Sequence, residues 1–541
     1  MNIRDEKIIM AHSLVQLDDL SDEVLIYILK KLDNDQVLYS LMGVNKRLNT
    51  LVHDSIFTSH LTLMTRSAND CISPLSERIL HRFYSQILPE IHHQIQWLNV
   101  ESSSMERILS GNYPNLYGLG LYNLEIETTA HLFTNGNIFT DLMKNQILSF
   151  IISIRQNRKQ TSIKDKNTIM FTNLFTMFTN LQYLNFCSSS IDSQYISFEI
   201  SPPIFISSTL LELHVSVGSF NDCLYLLDGR FDQLRALYVN ISWIHCYSRL
   251  ISNNMESLPD LKCFSLHCGT DTLAYDELIV PLLHRMFNLE KLDLYLAICC
   301  KNALIDGNNL KKNIINRMPK LNKFTFNIRS TVRLNNQINL PSNEDIQYTF
   351  NHFPNNQIIS CVDYFSEIKQ GQCHIYSYPY EWKACHKITN NFPGGISKYV
   401  REVSLFDEQP FEHYFFFQIS KSFPFIKKLT LINEKPQNDK QSGKLDDKNE
   451  HLSISEYPHL SQLNLTEAHD DYIEEFLVDT KTCLPNNLYL SVDYQALKRV
   501  TQHFTSNRTR NNCKKLRSLS LIGKYRIPKY VKEYFPHTKI L

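Results

Sequence analysis

Residues 289–326, LEKLDLYLAICCKNALIDGNNLKKNIINRMPKLNKFTF, contain the pattern that decides the fold of this chain. The pattern is a hexamer with apolar residues at its first, fourth and sixth positions, and it stands at both ends of the stretch as LEKLDL and LNKFTF. Such alternation forms a short strand with one buried face. The spacing of Leu278, Leu282 and Met286, just before the first hexamer, is helical. The sequence therefore predicts a repeating strand–helix unit.

The same hexamer recurs along most of the chain. Its leading residue stands at positions 181, 210, 234, 261, 289 and 321, so successive copies are 29, 24, 27, 28 and 32 residues apart. Further copies begin at positions 95, 116, 400, 426, 460 and 516. One unit of this length cannot bury its own apolar face, so neighbouring units must stack and share a core. The period is close to that of leucine-rich repeats and predicts an α/β solenoid, a horseshoe of irregular repeats, over residues 95–541.

Two long intervals interrupt the period. Strand placement stays open in residues 122–180 and 327–399, although alternating Ile375, Tyr376, Tyr378 and Tyr380 predict an irregular strand pair across residues 373–388. Polar stretches near residues 155–167 and 433–451 predict mobile insertions.

The N-terminal residues 14–52 hold more apolar side chains than three short helices can bury. Ser21 is a good N-cap for the first helix, and the run from Val24 to Leu29 is apolar all around that helix. A second apolar-periodic helix follows the turn at Asp33, and a third follows the break at Gly43. A helix that is apolar all around must be covered on more than one side. We therefore expect a partner protein to cover part of this segment.

The apolar residues of this segment follow a recognisable order. They run Leu17-x-x-Leu20-x-x-Glu23-Val24, then Ile28 and Leu32, then Asp35 and Val37, then Val44-Asn45-Lys46-Arg47-Leu48. This order resembles the F-box motif, with Ser21 where the family usually has Pro, and the resemblance covers about 40 of 541 residues. The order of an F-box first and leucine-rich repeats after it is also the layout of F-box proteins that recognise substrates for SCF-type ubiquitin ligases.

The resemblance implies a function and a layout. The F-box helices would dock onto a Skp adaptor and, through it, onto a cullin scaffold, while the solenoid binds a target protein for ubiquitination. The docking surface or its internal support would consist of Leu17, Leu20, Val24, Ile28, Leu32, Val37, Val44 and Leu48. The expected layout is a disordered N-terminus (1–13), the F-box (14–60), a helical linker (61–94) and the repeat domain (95–541).

The target would bind the exposed positions of the strands. In a leucine-rich horseshoe the residues between and just after the apolar ones line the concave surface. The predicted substrate-binding residues are Tyr183, His214, Tyr238, His267, Asp293, Tyr295 and Phe406.

Composition argues against several other functions. Lys plus Arg equals Asp plus Glu at 55 each, so no net field attracts nucleic acid or a membrane surface. The longest apolar run, residues 147–154, is far shorter than the ~20 residues that span a bilayer, and thirteen cysteines without a framework spacing indicate reduced thiols. We expect a soluble protein of the cytoplasm, with the nucleus as a second compartment.

No motif of a catalytic or metal site occurs in the sequence. The chain lacks GxxxxGK[ST], GxGxxG, GxSxG and HExxH. Cys373-His374 and Cys385-His386 have ligand types that zinc prefers, but adjacent residues face opposite sides of a strand. We expect no enzyme activity, no catalytic residues, no cofactor and no metal. Two alternatives stay open: a non-ligase leucine-rich scaffold whose N-terminal helices cap the solenoid, and an enzyme within residues 340–400.

Overall fold

The structure is a computed structural model. It describes residues 19–66, 72–125, 141–155, 164–186, 195–198, 205–245, 257–334, 340–351, 353, 357–438, 454–523 and 528–541. These residues form two compact units, of which the first holds the described residues from 19 to 216 with Tyr225–Leu234, and the second holds Val217–Leu224 and the described residues from 235 on.

Four short helices open the first unit. They are α1 (Asp22–Leu29), α2 (Asn34–Leu41), α3 (Lys46–Val52) and α4 (Ser55–Thr58). Five further helices lie between the strands described in this unit: α5 (Glu77–Arg82), α6 (Leu88–Ile91), α7 (Met105–Leu109), α8 (Asp141–Gln146) and α9 (Lys164–Met177). A π-helical turn joins α5 to α6.

The strands of the first unit lie side by side in chain order, except that β2 is at the edge beyond β1. Only the β1–β2 pair is antiparallel among the pairs described in this unit. The strands are β1 (His60–Arg66), β2 (Ile72–Pro74), β3 (Trp97–Glu101), β4 (Gly118–Leu124), β5 (Ser149–Ile154), β6 (Tyr183–Phe186) and β7 (Glu212–Ser219).

The second unit begins with four parallel strands and a hairpin. These are β8 (Ala236–Trp243), β9 (Cys263–Thr272), β10 (Lys291–Cys300), β11 (Lys323–Arg333), β12 (Gln357–Phe365) and β13 (Gln370–Tyr378). Strand β13 is antiparallel to both β11 and β12, which places β12 at the edge of this sheet.

A seven-stranded parallel sheet completes the second unit. Its strands, in spatial order, are β14 (Ala384–Ile388), β15 (Glu402–Phe406), β16 (Lys428–Asn433), β18 (Gln462–Ala468), β20 (Leu488–Asp493), β21 (Leu516–Ile522) and β22 (Lys539–Ile540). Two short strands, β17 (Ser455–Glu456) and β19 (Thr482–Cys483), pair separately.

Helices alternate with these strands. Helix α10 (Phe220–Leu226) has residues in both units. The remaining helices are α11 (Val280–His284), α12 (Gly307–Asn313), α13 (Asn343–Tyr348), α14 (His413–Ser422), α15 (Asp470–Leu477), α16 (Tyr494–Val500), α17 (Arg510–Cys513) and α18 (Lys529–Tyr534). Within the described residues, none of the helices combines the length and the apolarity that crossing a membrane requires.

Alternation along the strands builds the core. In β18 the side chains of Leu463 and Leu465 are fully buried, while Asn464 between them is half-buried on the other face. All twelve predicted hexamers contain strand residues, and successive copies pair in parallel from β3 to β4, from β6 to β7, from β8 through β11, and from β15 through β16 to β18. The predicted α/β class and its parallel strand–helix repeats are confirmed.

The structure differs from the expected layout in four places. The interval 61–94, expected to be a helical linker, does hold α5 and α6, but β1 and β2 precede them, and β1 pairs in parallel with β3, so the sheet begins at His60. The predicted strand pair across residues 373–388 is split, since β13 pairs with β12 while β14 joins the seven-stranded sheet. Residues 164–167 of the predicted insertion at 155–167 begin helix α9. Residues 433–438 of the predicted insertion at 433–451 are not an exposed loop either, since Asn433 ends β16 and both Asn433 and Gln437 are buried. The remaining residues of the predicted insertions, 156–163 and 439–451, and the predicted disordered terminus lie outside the described residues.

Helix α15 carries a fully buried carboxylate between two basic side chains. Oε1 of Glu475 lies 2.6 Å from Nδ1 of His413, and Oε2 lies 3.4 Å from Nζ of Lys481. The side chain of Glu475 is 0% exposed, and that of Lys481 is 20% exposed. Removing one partner of a buried pair leaves the other charge uncompensated.

We predict that Glu475→Ala lowers the free energy of unfolding by about 3–5 kcal/mol. Urea denaturation followed by circular dichroism measures this loss. The matched control is Glu533→Ala, which removes an exposed partner 3.9 Å from Lys529 and should change the same quantity by less than about 1 kcal/mol. Equal losses in the two variants would contradict the account.

Candidate protein-binding surfaces

Between Val24 and Val44, three apolar side chains of α1 and two in the turns after α1 and α2 are exposed. Their exposed fractions are 45% for Val24, 66% for Tyr27, 40% for Ile28, 49% for Leu32 and 59% for Val44. Val24, Tyr27 and Ile28 have the spacing i, i+3, i+4, so they share one face of α1. We call these five residues the outer apolar patch.

The inner side of the same helices is packed. Leu25, Leu48 and Leu51 form a buried cluster, against which Leu20, Ile26 and Leu41 pack. The eight residues that the F-box resemblance assigned to docking therefore divide into groups. Val24, Ile28, Leu32 and Val44 are at the surface, Leu20 is half-buried, and Val37 and Leu48 are buried. Leu17 lies outside the described residues, and Tyr27, the most exposed member of the patch, was missed.

Polar contacts fix α1 to α3. Arg47 donates from Nε and Nη2 to Oδ1 of Asp22 at 2.8 and 2.6 Å, and from Nη2 to the carbonyl of Leu20 at 2.5 Å. Asn45 caps α3 by accepting the N–H of Leu48 at 2.8 Å. The patch is therefore presented by helices whose mutual position is fixed.

Other contacts fix α2 to the first strand. The side chain of Asn34 donates to the carbonyls of Ile56 and His60 at 3.1 and 2.9 Å. Arg82 donates to the carbonyl of Met42 at 2.9 Å, and its guanidinium lies 4.9 Å from the ring centroid of Tyr39. The inner side of the helices thus covers the end of the first unit at β1.

Ser21 holds a backbone conformation that proline could also adopt. Its φ is −67° and its ψ is 159°, and proline fixes φ near −65°. Its carbonyl accepts the N–H of Leu25 at 3.0 Å, which starts α1. Replacement of Pro by Ser21 therefore leaves the start of the helix in place.

On the exposed face of the strands of the first unit, an aromatic side chain covers a glycine of the neighbouring strand. Trp97 and Gly118 are partners in the β3–β4 register, and a Cβ on Gly118 would lie 2.0 Å from the Trp97 ring. The indole therefore rests on the β4 backbone. Farther along the same face, Tyr183 lies 5.4 Å from His214 between ring centroids, and Nε2 of His214 lies 2.7 Å from Oε1 of Glu212. The predicted substrate-binding residues Tyr183 and His214 are thus adjacent and half-buried.

The predicted face residues of the second unit are partly covered. His267 and Tyr295 stack with 4.2 Å between ring centroids, and Trp382 lies 5.4 Å from Tyr295. Tyr295 is only 4% exposed. The segment that leads into β14 therefore lies over two residues that the sequence placed on an open surface.

The other three predicted residues also have partners within the second unit. The Tyr238 hydroxyl accepts from Sγ of Cys263 at 3.2 Å, and the Phe406 ring lies 5.1 Å from Phe365. Asp293 accepts from the hydroxyl of Thr325, and burial raises the pKa of its carboxyl.

A polar network lies beneath the covered part of this face. Nη2 of Arg329 lies 3.2 Å from Oδ1 of Asp271, and Nζ of Lys387 lies 3.4 Å from Oδ2. Burial works to raise the pKa of Asp271, but the two cations outweigh burial and hold that pKa below its usual range. The Asp271 carboxylate is thus held between two cations.

Three histidines in the same region are uncharged near neutral pH. Burial lowers the pKa of His267 and His386 to about 4, and that of His374 to about 3. Neighbouring positive charge adds to the effect, from Arg329 on both His374 and His386. Nε2 of His374 lies 2.9 Å from Oδ1 of Asn327, whose side-chain amide contacts Tyr380.

Residues 340–400 were the region that left an enzyme open as an alternative. A small apolar cavity there is lined mainly by aromatic and glycine residues, among them Tyr376, Tyr380, Phe392 and Gly394. Cys373 and Cys385 are buried, and no group of three or more His, Cys, Asp or Glu within the described residues is arranged to hold a metal ion.

Comparison with known proteins identifies no family by sequence. No family model matches the chain, and no curated protein matches it. Among solved structures, the chain is similar to one in the crystal structure of the Rad7 and Elc1 complex in yeast. The identity is 11% over 97% of this chain and 89% of that chain, with a TM-score of 0.26.

The three histidines predict how stability depends on pH. Their folded-state pKa values lie below the ordinary value of 6.5, so below pH 6.5 the unfolded chain binds protons that the folded chain does not. The free energy of unfolding should therefore fall as the pH is lowered from about 6.5 to about 4. In His374→Gln the slope of the free energy of unfolding against pH should be shallower by about 1.4 kcal/mol per pH unit over this range.

Urea denaturation at a series of pH values measures the slope. His537, which is exposed, provides the matched control, and His537→Gln should keep the slope of the parent protein. An unchanged slope in His374→Gln would show that this histidine does not contribute.

Proposed function

We propose that this chain is the substrate-recognition adaptor of a cullin-RING (SCF-type) ubiquitin ligase, with its outer apolar patch docked on a Skp adaptor. The observation that carries the proposal is the exposure of Val24, Tyr27 and Ile28 on α1, and of Leu32 and Val44 in the turns after α1 and α2, while the inner side of these helices is already filled. Exposed apolar side chains that share one face, as Val24, Tyr27 and Ile28 do on α1, mark protein interfaces. The F-box order, to which Val24, Ile28, Leu32 and Val44 belong, points to a Skp adaptor as the partner.

The composition of the patch suits an interface. Tyr27 supplies an aromatic side chain near its centre, and Nζ of Lys31 lies 4.9 Å from the ring centroid of Tyr27. An apolar, aromatic centre with charged residues at the rim is the usual anatomy of a protein interface. The patch would thus bury its apolar side chains while Lys31 stays hydrated.

The chain would catalyse nothing itself. The repeats would hold the target while the helices hold the adaptor, and a lysine of the target would stay near the reactive thioester of the conjugating enzyme. The rate gain comes from effective concentration and orientation.

The alternative is a leucine-rich scaffold whose N-terminal helices serve only as a cap. The contacts of Asn34 with the carbonyls of Ile56 and His60 do support capping by the inner side. Terminal caps of repeat proteins, however, have a polar outer face. Capping therefore accounts for the buried cluster and leaves the outer apolar patch without a role.

We predict that Val24→Glu with Ile28→Glu weakens binding to a purified Skp adaptor about 100-fold. Burial of each side chain contributes about 1.5–3 kcal/mol, and a factor of ten in affinity corresponds to about 1.4 kcal/mol. Isothermal titration calorimetry with the full chain measures the dissociation constant.

The matched control is Ile169→Glu with Ile522→Glu, which changes two exposed isoleucines elsewhere (52% and 50% exposed). Parent and control should bind equally. If the parent does not bind the adaptor, or if the patch variant binds as tightly as the parent, the adaptor proposal is lost and the scaffold function stands.

A further inference from the structure

Three aromatic rings occupy equivalent positions of successive repeats in the second unit. Glu402, Lys428 and Gln462 are partners in the register of β15, β16 and β18. Three residues before them stand Tyr399, Phe425 and His459, and the rings of Phe425 and His459 lie 5.2 Å apart between centroids. Tyr399 is 55% exposed and Phe425 is 38% exposed. The rings therefore form a row at the amino-terminal edge of the sheet.

A row of cations runs along the same edge. The residue just before each of β14, β15 and β16 is basic: Lys383, Arg401 and Lys427. The N–H of Arg401 donates to the carbonyl of Lys383 at 2.7 Å, and the N–H of Lys427 donates to that of Arg401 at 2.7 Å. These three residues are thus neighbours on consecutive strands, about 4.8 Å apart.

One of these cations joins the two rows. The Arg401 guanidinium lies 5.4 Å from the Phe425 centroid and donates to the carbonyl of Lys398 at 2.6 Å. Lys398 is itself exposed. We call Lys383, Lys398, Tyr399, Arg401, Phe425 and Lys427 the basic–aromatic edge.

The edge is positive although the whole chain is neutral. Residues 381–402 and 425–428 contain six Lys or Arg and two Glu. Both glutamates already have cations: Oε1 of Glu402 lies 2.7 Å from Nζ of Lys428, and Oε2 of Glu381 lies 3.9 Å from Nζ of Lys323. Lys387 is one of the six cations and lies beside Asp271, so the excess of positive charge beside the exposed aromatic side chains is smaller than the count of six against two.

We propose that the basic–aromatic edge binds an acidic segment of another polypeptide. Carboxylates pair with Lys and Arg in strong charge-assisted hydrogen bonds, and complementary charge steers association and fixes register. Tyr399 and the exposed part of Phe425 supply the apolar contact area that protein interfaces use at their centre. The proposal does not depend on adaptor docking, because the whole edge belongs to the second unit.

The arrangement of the rings favours a polypeptide over a single-stranded nucleic acid. The bases of a single-stranded nucleic acid bind proteins by stacking on exposed aromatic rings. Phe425 has Arg401 on its ring at 5.4 Å and His459 at 5.2 Å. A base would have to displace one of these groups, whereas carboxylates reach the exposed Lys383 and Lys398 directly.

The test measures binding of a fluorescein-labelled dodecaglutamate peptide to the full chain by fluorescence anisotropy at low ionic strength. The peptide should bind, a dodecaglutamine peptide should bind at least about tenfold more weakly, and added salt should weaken binding of dodecaglutamate through screening. The variant Lys383→Gln, Lys398→Gln, Lys427→Gln should lose at least about tenfold in affinity.

The matched control removes the same charge elsewhere. Lys311, Lys312 and Arg317 are exposed, and their triple replacement by Gln should leave the affinity within about twofold. Thermal unfolding of both triple variants checks that each is folded. Failure of dodecaglutamate to bind, equal losses in the two triple variants, or tighter binding of a labelled dodecathymidylate would each overturn the proposal.

Discussion

No repeat of this chain can bury its own apolar residues, and every other feature of the structure depends on this constraint. A strand such as β18 turns Leu463 and Leu465 to one side, where they are fully buried only because the strands and helices of adjacent repeats supply the other walls of the core. The parallel register places equivalent residues next to each other. Polar, charged or aromatic residues at one repeat position therefore become continuous rows on the surface, as Lys383, Arg401 and Lys427 do.

The same constraint explains which strands the sequence could predict. None of the recognised hexamers has an aliphatic residue at its fifth position, and all of them contain strand residues. Strand β5 also follows the pattern, with Ile147, Phe150 and Ile152 buried, but the apolar Leu148 and Ile151 between them conceal the alternation. In two other strands, β1 and β20, the first position of the hexamer is polar, so the sequence pattern is not recognisable. The register with neighbouring strands places Thr58 at the first hexamer position for β1 and Asn487 at the first hexamer position for β20. Thr58 is fully buried because its hydroxyl contacts the carbonyl of Asp54 and Oε1 of Gln94.

The binding surfaces were predictable only in part, for a related reason. The N-terminal helix α1 is apolar all around, so its sequence indicates that it must be covered without indicating which side faces solvent. That side is decided by tertiary contacts, such as those of Arg47 with Asp22 and of Asn34 with the carbonyl of His60. Likewise, no local pattern reveals that Trp382 lies over Tyr295, because the two residues are 87 positions apart (382 minus 295). Periodicity predicts which residues share a face of a helix or strand. Contacts between residues distant in sequence decide which of these faces stays exposed to solvent.

The central claim is that the N-terminal helices have a filled inner side and an apolar outer side that a Skp adaptor covers. Hydrogen–deuterium exchange of the full chain, with and without the adaptor, measures both sides at once. The amides of α1 and of the turn that follows it, Asp22 to Leu32, should exchange more slowly when the adaptor is present, and those of the seven-stranded sheet should be unchanged. Unchanged exchange across α1 under saturating adaptor would contradict the claim.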